Sequence, residues 1–535
     1  MNYYRDDWLP HLEGSIPAEA RRNRVSLYTI ALEGWRRGLR LKFYQRKDDH
    51  NRHRLIYSLQ SEKKIHYFNE SSGDKNTDEA FEICGDKGLT NKFLEEANVP
   101  IPSGKFFDKN STVDDIIKDA EILGYPLVVK PTDGNSGKGV IANIENKKEL
   151  KNAICHVREK LSFENLIVQQ HVNGDEVRIY VLGDKVLAAA NRLPANIIGD
   201  GQSSIVKLIE YKNEFRKQIP HLNYRPIKVD TEVRNLINDA GYTLDSILKK
   251  GERLFLRKIS NVSTGGDPID VTDKLTEKQK KIAVDATRAI PGLTHCGVDM
   301  IIDEKSGDGV ILELNTRPGI GSHLFPIEGK ARDIPKAIID YYFPETKEKK
   351  DNCSNAYFDL QIVFDTLNGG YLSEIEMKRH PLTTLHATKL EITGELDVLS
   401  YYTRLKKYFI QRQFNGYMKQ HDNETIEIVV GHENRTIIDE CKQFLRNKRK
   451  NLQIHNITES KWDQPLKIGF DLIDGLNQLS LAELENEYKQ SYKDNRTLEM
   501  ELRRLNKRIE LMKTSRAWRL TAPIRFVKDV LNRLK

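Results

Sequence analysis

Residues 127–140 read LVVKPTDGNSGKGV, an apolar strand-like run that ends on Lys130 and opens into a loop with glycines at 134, 137 and 139. A further run, VIANI, reads as a second strand directly after it. Glycine carries no Cβ to hold a backbone N–H away from a phosphate oxygen, so the loop reads either as a phosphate cradle or as a plain hairpin turn. Its spacing is not GxxxxGK[ST], and a strand rather than a helix follows, which argues against a P-loop NTPase. A lysine that directly follows LVV is walled by core on one side, unlike the ordinary solvated surface lysine.

Outward from this loop the pattern alternates between strands and amphipathic helices from about residue 84 to about 344. VRIYVL (177–182) reads as a strand, and 276–290 reads as a helix whose Thr276 and Gln279 have capping-box spacing. Two apolar strands, GVDMII (297–302) and VILELN (310–315), carry Asp299, Glu313 and Asn315. Strand alternation puts Glu313 and Asn315 on one face, as ligands for a hard cation or as a solvated sheet face. The fold class is multidomain, α/β and α+β.

The ordered runs CGDKGLTNKFLEEANVPIPSG, LVVKPTDGNSGKGV, VNGDEVRIYVLG and GVDM…ILELNTRPG resemble the ATP-grasp superfamily. Within it, NRLPANIIGDGQSSI, YTLDSILKKGERLFLR and NVSTGGDPIDVTD are similar to the ATP-grasp part of cyanophycin synthetase and to glutathione-synthetase-like ligases. No trace of the Mur-ligase-like half of cyanophycin synthetase follows.

The resemblance implies a carboxylate–amine ligase that uses ATP with Mg2+ or Mn2+. Lys87 and Lys130 would hold the nucleotide phosphates under the loop Asp133, Gly134, Ser136, Gly137, Lys138 and Gly139. The hinge, with Gln169, Gln170, His171 and Val172, would receive adenine, and Glu176 the ribose. Relatives commonly place an acidic and a basic residue where this chain has Gln169 and Gln170. Asp299, Glu313 and Asn315 would bind the metal, with Asn315 also counted among the catalytic residues. Arg257, with Arg192 beside it, would stabilise charge on the transferred phosphoryl group and the tetrahedral adduct. Arg178, Asn261, Ser263, Thr264, Gly265 and Gly266 would face the acceptor. In such a reaction a carboxylate takes the γ-phosphoryl group and an amine then displaces phosphate, so positioning and charge neutralisation carry the catalysis and no nucleophile–base pair is needed.

The expected domains are a small α/β region at 1–80, an ATP-grasp domain at 81–345, a polar linker and connecting segment at 346–384, and a second folded unit at 385–475. This last resembles an acylphosphatase domain, with ELDVLS (395–400) in the place of its phosphate loop. Tyr402 and Gln420 stand where that family relies on an arginine and an asparagine, with Arg404 as a possible substitute. The expectation is an inactive fold used for docking or regulation, because a hydrolase would also destroy an acyl phosphate made next door.

Residues 478–513 place Leu484, Tyr488, Leu498, Leu502, Leu505, Ile509 and Met512 on a heptad seam, weakened by Ser491 and Asn495. The seam reads as a homo-oligomeric coiled coil or as a helix packed on its own domain. The tail, 514–535, sets Leu520, Ile524, Val527, Leu531 and Leu534 among cationic residues, which suits peripheral membrane contact or docking on an acidic surface. Its phrase SRAWRLTAPIR resembles tails of bacterial enzymes that build cell-surface polysaccharides.

The chain has 535 residues, enough for several cores. Its 85 basic and 78 acidic residues leave only +7, no signature of a nucleic-acid binder. The five cysteines, Cys84, Cys155, Cys296, Cys353 and Cys441, are scattered without zinc-ligand spacing. No signal peptide or membrane-spanning run is apparent, so the expected location is the cytoplasm or the inner face of the membrane. Two functions stay open: a ligase that joins a small-molecule or polymer carboxylate to an amine, or a degenerate ATP-binding scaffold regulating a polysaccharide assembly machine.

Overall fold

The computed structural model describes residues 8–47, 53–132, 139–258, 260–303, 306–352, 356–369, 372–381, 385–396, 407–421, 424–446 and 452–473, with Thr383 and Leu405. The coiled-coil and tail expectations at 478–513 and 514–535 lie outside these residues, as do 133–138 of the glycine loop, Tyr402 and Arg404.

Helix α1 (Val25–Arg36) is buried along its whole length, as a helix apolar on nearly every side must be. It packs on an antiparallel sheet of β1 (Arg40–Lys47), β2 (His53–Gln60), β3 (Ile65–Asn69) and β4 (Ser72–Gly73). Their core residues Tyr28, Trp35, Phe43, Tyr57 and Phe68 are continuous with Tyr180, Ile320, Leu324, Phe325 and Tyr342 farther along the chain. The N-terminal region is therefore no appendage; it shares one core with the central domain.

Helices α2 (Asp78–Gly85) and α3 (Lys87–Glu96) begin at caps, Thr77 accepting from the Ala80 N–H and Asp86 from that of Leu89. A four-stranded sheet follows. It contains β5 (Gly104–Phe107), β6 (Leu127–Pro131), β7 (Ile141–Ile144) and β8 (Leu166–Gln170), in the order β5-β8-β6-β7, all antiparallel. Helices α4 (Val113–Ala120) and α5 (Lys147–Cys155) cover it, packing Ile116, Ile117, Leu150 and Ile154 on Leu127, Val129, Leu166 and Val168.

A second sheet holds β9 (Asp175–Leu182) and β10 (Lys185–Leu193). The chain then makes a small satellite of β11 (Asn196–Ile198), α6 (Ile205–Gln218), α7 (Thr231–Asp239) and β12 (Arg253–Phe255), with its own apolar core. It returns through β13 (Asp267–Asp270), α8 (Glu277–Arg288), β14 (His295–Ile302) and β15 (Gly309–Asn315), in the sheet order β13-β10-β9-β14-β15. The capping box read at Thr276 and Gln279 starts α8. Val177, Ile179 and Val181 pack in one core with Ala283 and Ala286 of α8, so Glu176, Arg178, Tyr180 and Leu182 point from the opposite face of β9. Tyr180 and Leu182 run beneath the N-terminal core; Glu176 and Arg178 continue the same face beyond it.

After α9 (Gly321–Leu324) and α10 (Ile334–Tyr342) the expectation of a linker over 346–384 needs correction. The segment holds β16 (Ala356–Tyr357), α11 (Leu360–Asn368) and β17 (Glu374–Glu376). Strand β17 joins β1 as a fifth strand of the N-terminal sheet, Glu376 meeting Arg40 and Glu374 meeting Lys42. Leu360, Val363 and Leu367 enter the N-terminal core from α11. The elements are short and the edge strand is charged, so their composition resembles a loop.

The C-terminal unit runs β18 (His386–Leu396), helical residues 405 and 407–411, β19 (Asn415–Gln420), β20 (Thr425–His432), α12 (Arg435–Arg446), β21 (Leu452–Lys461), β22 (Leu466–Lys467) and β23 (Phe470–Ile473). The sheet order β21-β18-β20-β19-β23 with helices between is a βαββαβ arrangement with one added edge strand. It is anchored to the N-terminal part: β22 pairs in parallel with β16, and Lys467 bridges Asp359 and Asp471. Among the described residues no helix is long and apolar enough to cross a membrane.

Asn76, 4% exposed, links the N-terminal part to β14. Its amide donates to the His295 carbonyl (2.9 Å) and the Ser72 hydroxyl (2.9 Å), and accepts from the N–H groups of Thr294 (2.8 Å) and His295 (3.1 Å). Asn76→Ala strands these buried partners and is expected to cost about 2–4 kcal/mol, read as a lower urea midpoint with an unchanged slope.

Candidate functional site

Strand register builds the acidic half of the site. Arg178 on β9 lies opposite Asp299 on β14, which in turn lies opposite Glu313 on β15, while Asn315 lies opposite Gly297. Arg178 clasps Asp299 with two donors, Nη2 to Oδ2 at 2.7 Å and Nε to Oδ1. Asn315 donates from Nδ2 to the same Oδ2 at 3.2 Å, leaving its carbonyl oxygen as the group able to meet a cation. Burial alone would lower the Arg178 guanidinium, but Asp299 overrides it and the group is held up. Glu176 and Arg192 approach at 3.4 Å next to this pair. Desolvation and then Asp299 push the Glu176 carboxyl up, against the pull of Arg192 and Arg178.

The basic half comes from the other sheet. Lys130, the penultimate residue of β6, is only 7% exposed. The backbone N–H of Lys87, first residue of α3, donates to the Thr132 carbonyl at 3.4 Å, which fixes the start of that helix beside the end of β6. Burial and then Lys87 push the Lys130 ammonium down to about 8, with Glu313 acting in the opposite sense. Two lysines on one side and Glu313 on the other therefore share one electrostatic neighbourhood, although they are far apart in sequence. Lys130 is buried and Lys87 half-buried, so the two cations repel each other in a partly dry setting.

The remaining expected residues divide. In the hinge, the Gln170 and His171 N–H groups already donate to the Ser103 (2.8 Å) and Pro126 (2.9 Å) carbonyls. The Gln169 amide is turned inward toward the Pro102 carbonyl at 3.4 Å, so these three groups are committed within the protein, while Val172 is half-buried. In the loop 261–266, Asn261, Ser263 and Thr264 are exposed and the two glycines are required. Gly265 has φ +104°, and a Cβ on Gly266 would meet the carbonyl oxygens of Asn261 and Leu193 at 2.7 Å. Arg257 is held by Asp230 (2.5 Å) and Glu232 (2.6 Å), and its described partners do not include the Asp299 cluster. Gly139, the described end of the glycine loop, has φ +82° and lies against Pro131.

Sequence reading missed the groups that hold these loops. Asp267, fully buried, is gripped by Lys212 and by Arg216 Nη1 at 2.9 Å, and Arg216 also donates to the Gly266 carbonyl at 3.2 Å, which secures the 261–266 loop from behind. Arg332 clasps Asp270 at 3.1 and 2.7 Å. The only sequence signal was Lys212 and Arg216 spaced one helical turn apart; their acidic partner lies more than fifty residues away.

A divalent cation fits this donor set. Among the described residues no three His, Cys, Asp or Glu side chains are grouped to cage a metal. Asp299, Glu313 and the Asn315 carbonyl instead offer a few hard oxygens, which suits Mg2+ that keeps water and phosphate oxygens in its shell.

Residues 84–321 match the family model described as an ATP-grasp domain. Cyanophycin synthetase of Crocosphaera subtropica is 36% identical over 276 residues, covering 50% of this chain and 31% of that protein. The glutathione biosynthesis bifunctional protein GshAB of Clostridium perfringens is 31% identical over 331 residues, 60% of this chain and 41% of that one. Among solved structures, a bifunctional glutathione synthetase from Pasteurella multocida is 28% identical with a TM-score of 0.44, covering 54% of this chain and 40% of that chain. The chain thus spans about a third of the length of the cyanophycin synthetases it matches. With Lys130 of one sheet in the electrostatic neighbourhood of Glu313 on the next, and a family model that spans both, residues 84–321, less than half of the chain, are similar to an ATP-grasp domain.

Proposed function

We propose that the chain is an ATP-dependent ligase that forms an amide between a carboxylate and an amine, joining an amino acid or amine to a peptide or a cell-surface polysaccharide. The observation that carries this reading is the shared neighbourhood of Lys87, Lys130 and Glu313 across the two sheets. In this reading Lys87 and Lys130 bind the triphosphate, and Asp299, Glu313 and Asn315 hold Mg2+, which neutralises phosphate charge when bound. A carboxylate oxygen attacks the γ-phosphorus, the bond to the β-phosphate oxygen breaks, and ADP leaves with that electron pair. The amine nitrogen then attacks the acyl carbon, loses a proton to solvent, and inorganic phosphate departs with the C–O electrons. Arg178 and Arg192 supply positive charge beside the developing oxyanion, and the exposed Asn261, Ser263 and Thr264 offer polar groups to the acceptor.

Cys84, Cys155, Cys296 and Cys441 are free thiols, which supports work in a reducing compartment. The C-terminal unit has the βαββαβ order of the proposed acylphosphatase-like fold, and the buried Gln420 supports a docking or regulatory role rather than hydrolysis.

The ligase reading predicts ADP release that depends on both an amine and a carboxylate, tested against pooled amino acids, amines and acids. Glu313→Gln is expected to lower that turnover by about 100-fold or more while the chain stays folded. Acceptor-independent ATP turnover, or none in any pool, would overturn the reading.

Lys130 gives a pH signature. Its folded value of about 8 lies below the ordinary lysine value, so its burial is unfavourable below pH 8 and that penalty fades as pH rises toward the unfolded value. Anion binding needs the ammonium form and therefore weakens in the same direction. ADP affinity, measured by calorimetry, is expected to fall about tenfold from pH 7 to pH 9, and Lys130→Met to remove that dependence.

A further inference from the structure

We infer that two buried serines of the N-terminal region, Ser26 on α1 and Ser71 before β4, are positioning residues for the metal-binding strand, acting through the loop that leaves Asn315. This rests on the ligase reading of Asp299, Glu313 and Asn315.

The loop 316–320 does not run free after β15. Its Pro318 carbonyl accepts from the Ser71 hydroxyl at 2.7 Å, and its Ile320 N–H donates to the Ser26 hydroxyl at 3.1 Å. Ser71 is fully buried and Ser26 nearly so, which protects both bonds from water. At the first of these anchors Pro318 lies directly over Gly297, where an added Cβ would meet Pro318 Cβ at 2.7 Å and Arg178 Cδ at 3.1 Å. Gly297 is the register partner of Asn315. The path is therefore physical at each link: serine hydroxyl to Pro318, Pro318 onto the backbone of β14 beside Arg178, and Arg178 and Asn315 onto Asp299.

The same loop is fastened at its far end. Ile320 is fully buried in the N-terminal core, and beyond α9 Trp8 Nε1 donates to the Pro326 carbonyl at 3.2 Å. The fold thus gives the first 80 residues a task that their lack of chemical motifs did not disclose: they form the surface on which the exit of the metal strand is seated. If the hydroxyls are removed, the Pro318 carbonyl and the Ile320 N–H are left in a dry interior, and the loop shifts to find water.

The test uses the full chain with Ser71→Ala and Ser26→Ala. Amide hydrogen exchange across 316–321 is expected to quicken at least about tenfold in either variant, with β1–β3 unchanged. Mn2+ titrated in the presence of a saturating non-hydrolysable ATP analogue is expected to half-saturate at about fivefold higher concentration, while the analogue alone binds as in the parent. General destabilisation would reduce the amount of binding-competent protein without moving that half-saturation point. If Ser71→Ala does not fold, Ser26→Ala decides. Parent-like Mn2+ curves, or unchanged exchange over 316–321, in a folded variant would overturn the inference. A parent chain that binds no analogue would instead sink the ligase reading.

Discussion

The clasp between Arg178 and Asp299 organises the centre of the molecule. It spans β9 and β14, accepts a further donor from Asn315, and lies where one face of β9 passes from the buried Tyr180 to the half-buried Arg178 and the exposed Glu176. An aspartate only 7% exposed is tolerable because an arginine meets it with both arms. The same pairing fixes the Asp299 side chain on β14, whose register partner on β15 is Glu313. The acidic ledge thus has a defined shape before anything binds, and the buried Lys130 faces it from the neighbouring sheet.

Much of this was legible in the chain itself. The alternation in VRIYVL assigned faces because Val177, Ile179 and Val181 are uninterruptedly apolar and could only be core, whereas in VILELN a register shift between Ile311 and Glu313 lets Ile311 join Leu314 in the core although strict alternation would set it beside Glu313. Lys130 was legible for the same reason: three apolar residues precede it in a strand that α5 covers. The capping box at Thr276 was purely local and so was readable from four residues.

What escaped reading was what depends on distant partners. Arg257 resembles a catalytic arginine by its neighbours in sequence, yet its guanidinium is occupied by carboxylates that cap the start of α7. The support of the 261–266 loop by Arg216 and Asp267 involves a helix on the far side of the satellite, with nothing local to announce it. Strand β21, LQIHNITESK, is polar enough to pass for a loop, and only pairing with β18 makes it a strand. The stretch around β17 misled in the same way, since edge strands are selected for charge rather than for apolar alternation.

The return of the chain at 356–376 to the sheet it left before residue 80 closes a large loop around the segment that matches an ATP-grasp domain. That segment is thus spliced into a host fold whose two halves lie on either side of it in sequence. Recombination that transplanted the central segment alone would find its seat only in a recipient with both flanks already present. Inheritance of this architecture therefore favours the three pieces travelling together, and drift in one flank constrains the other.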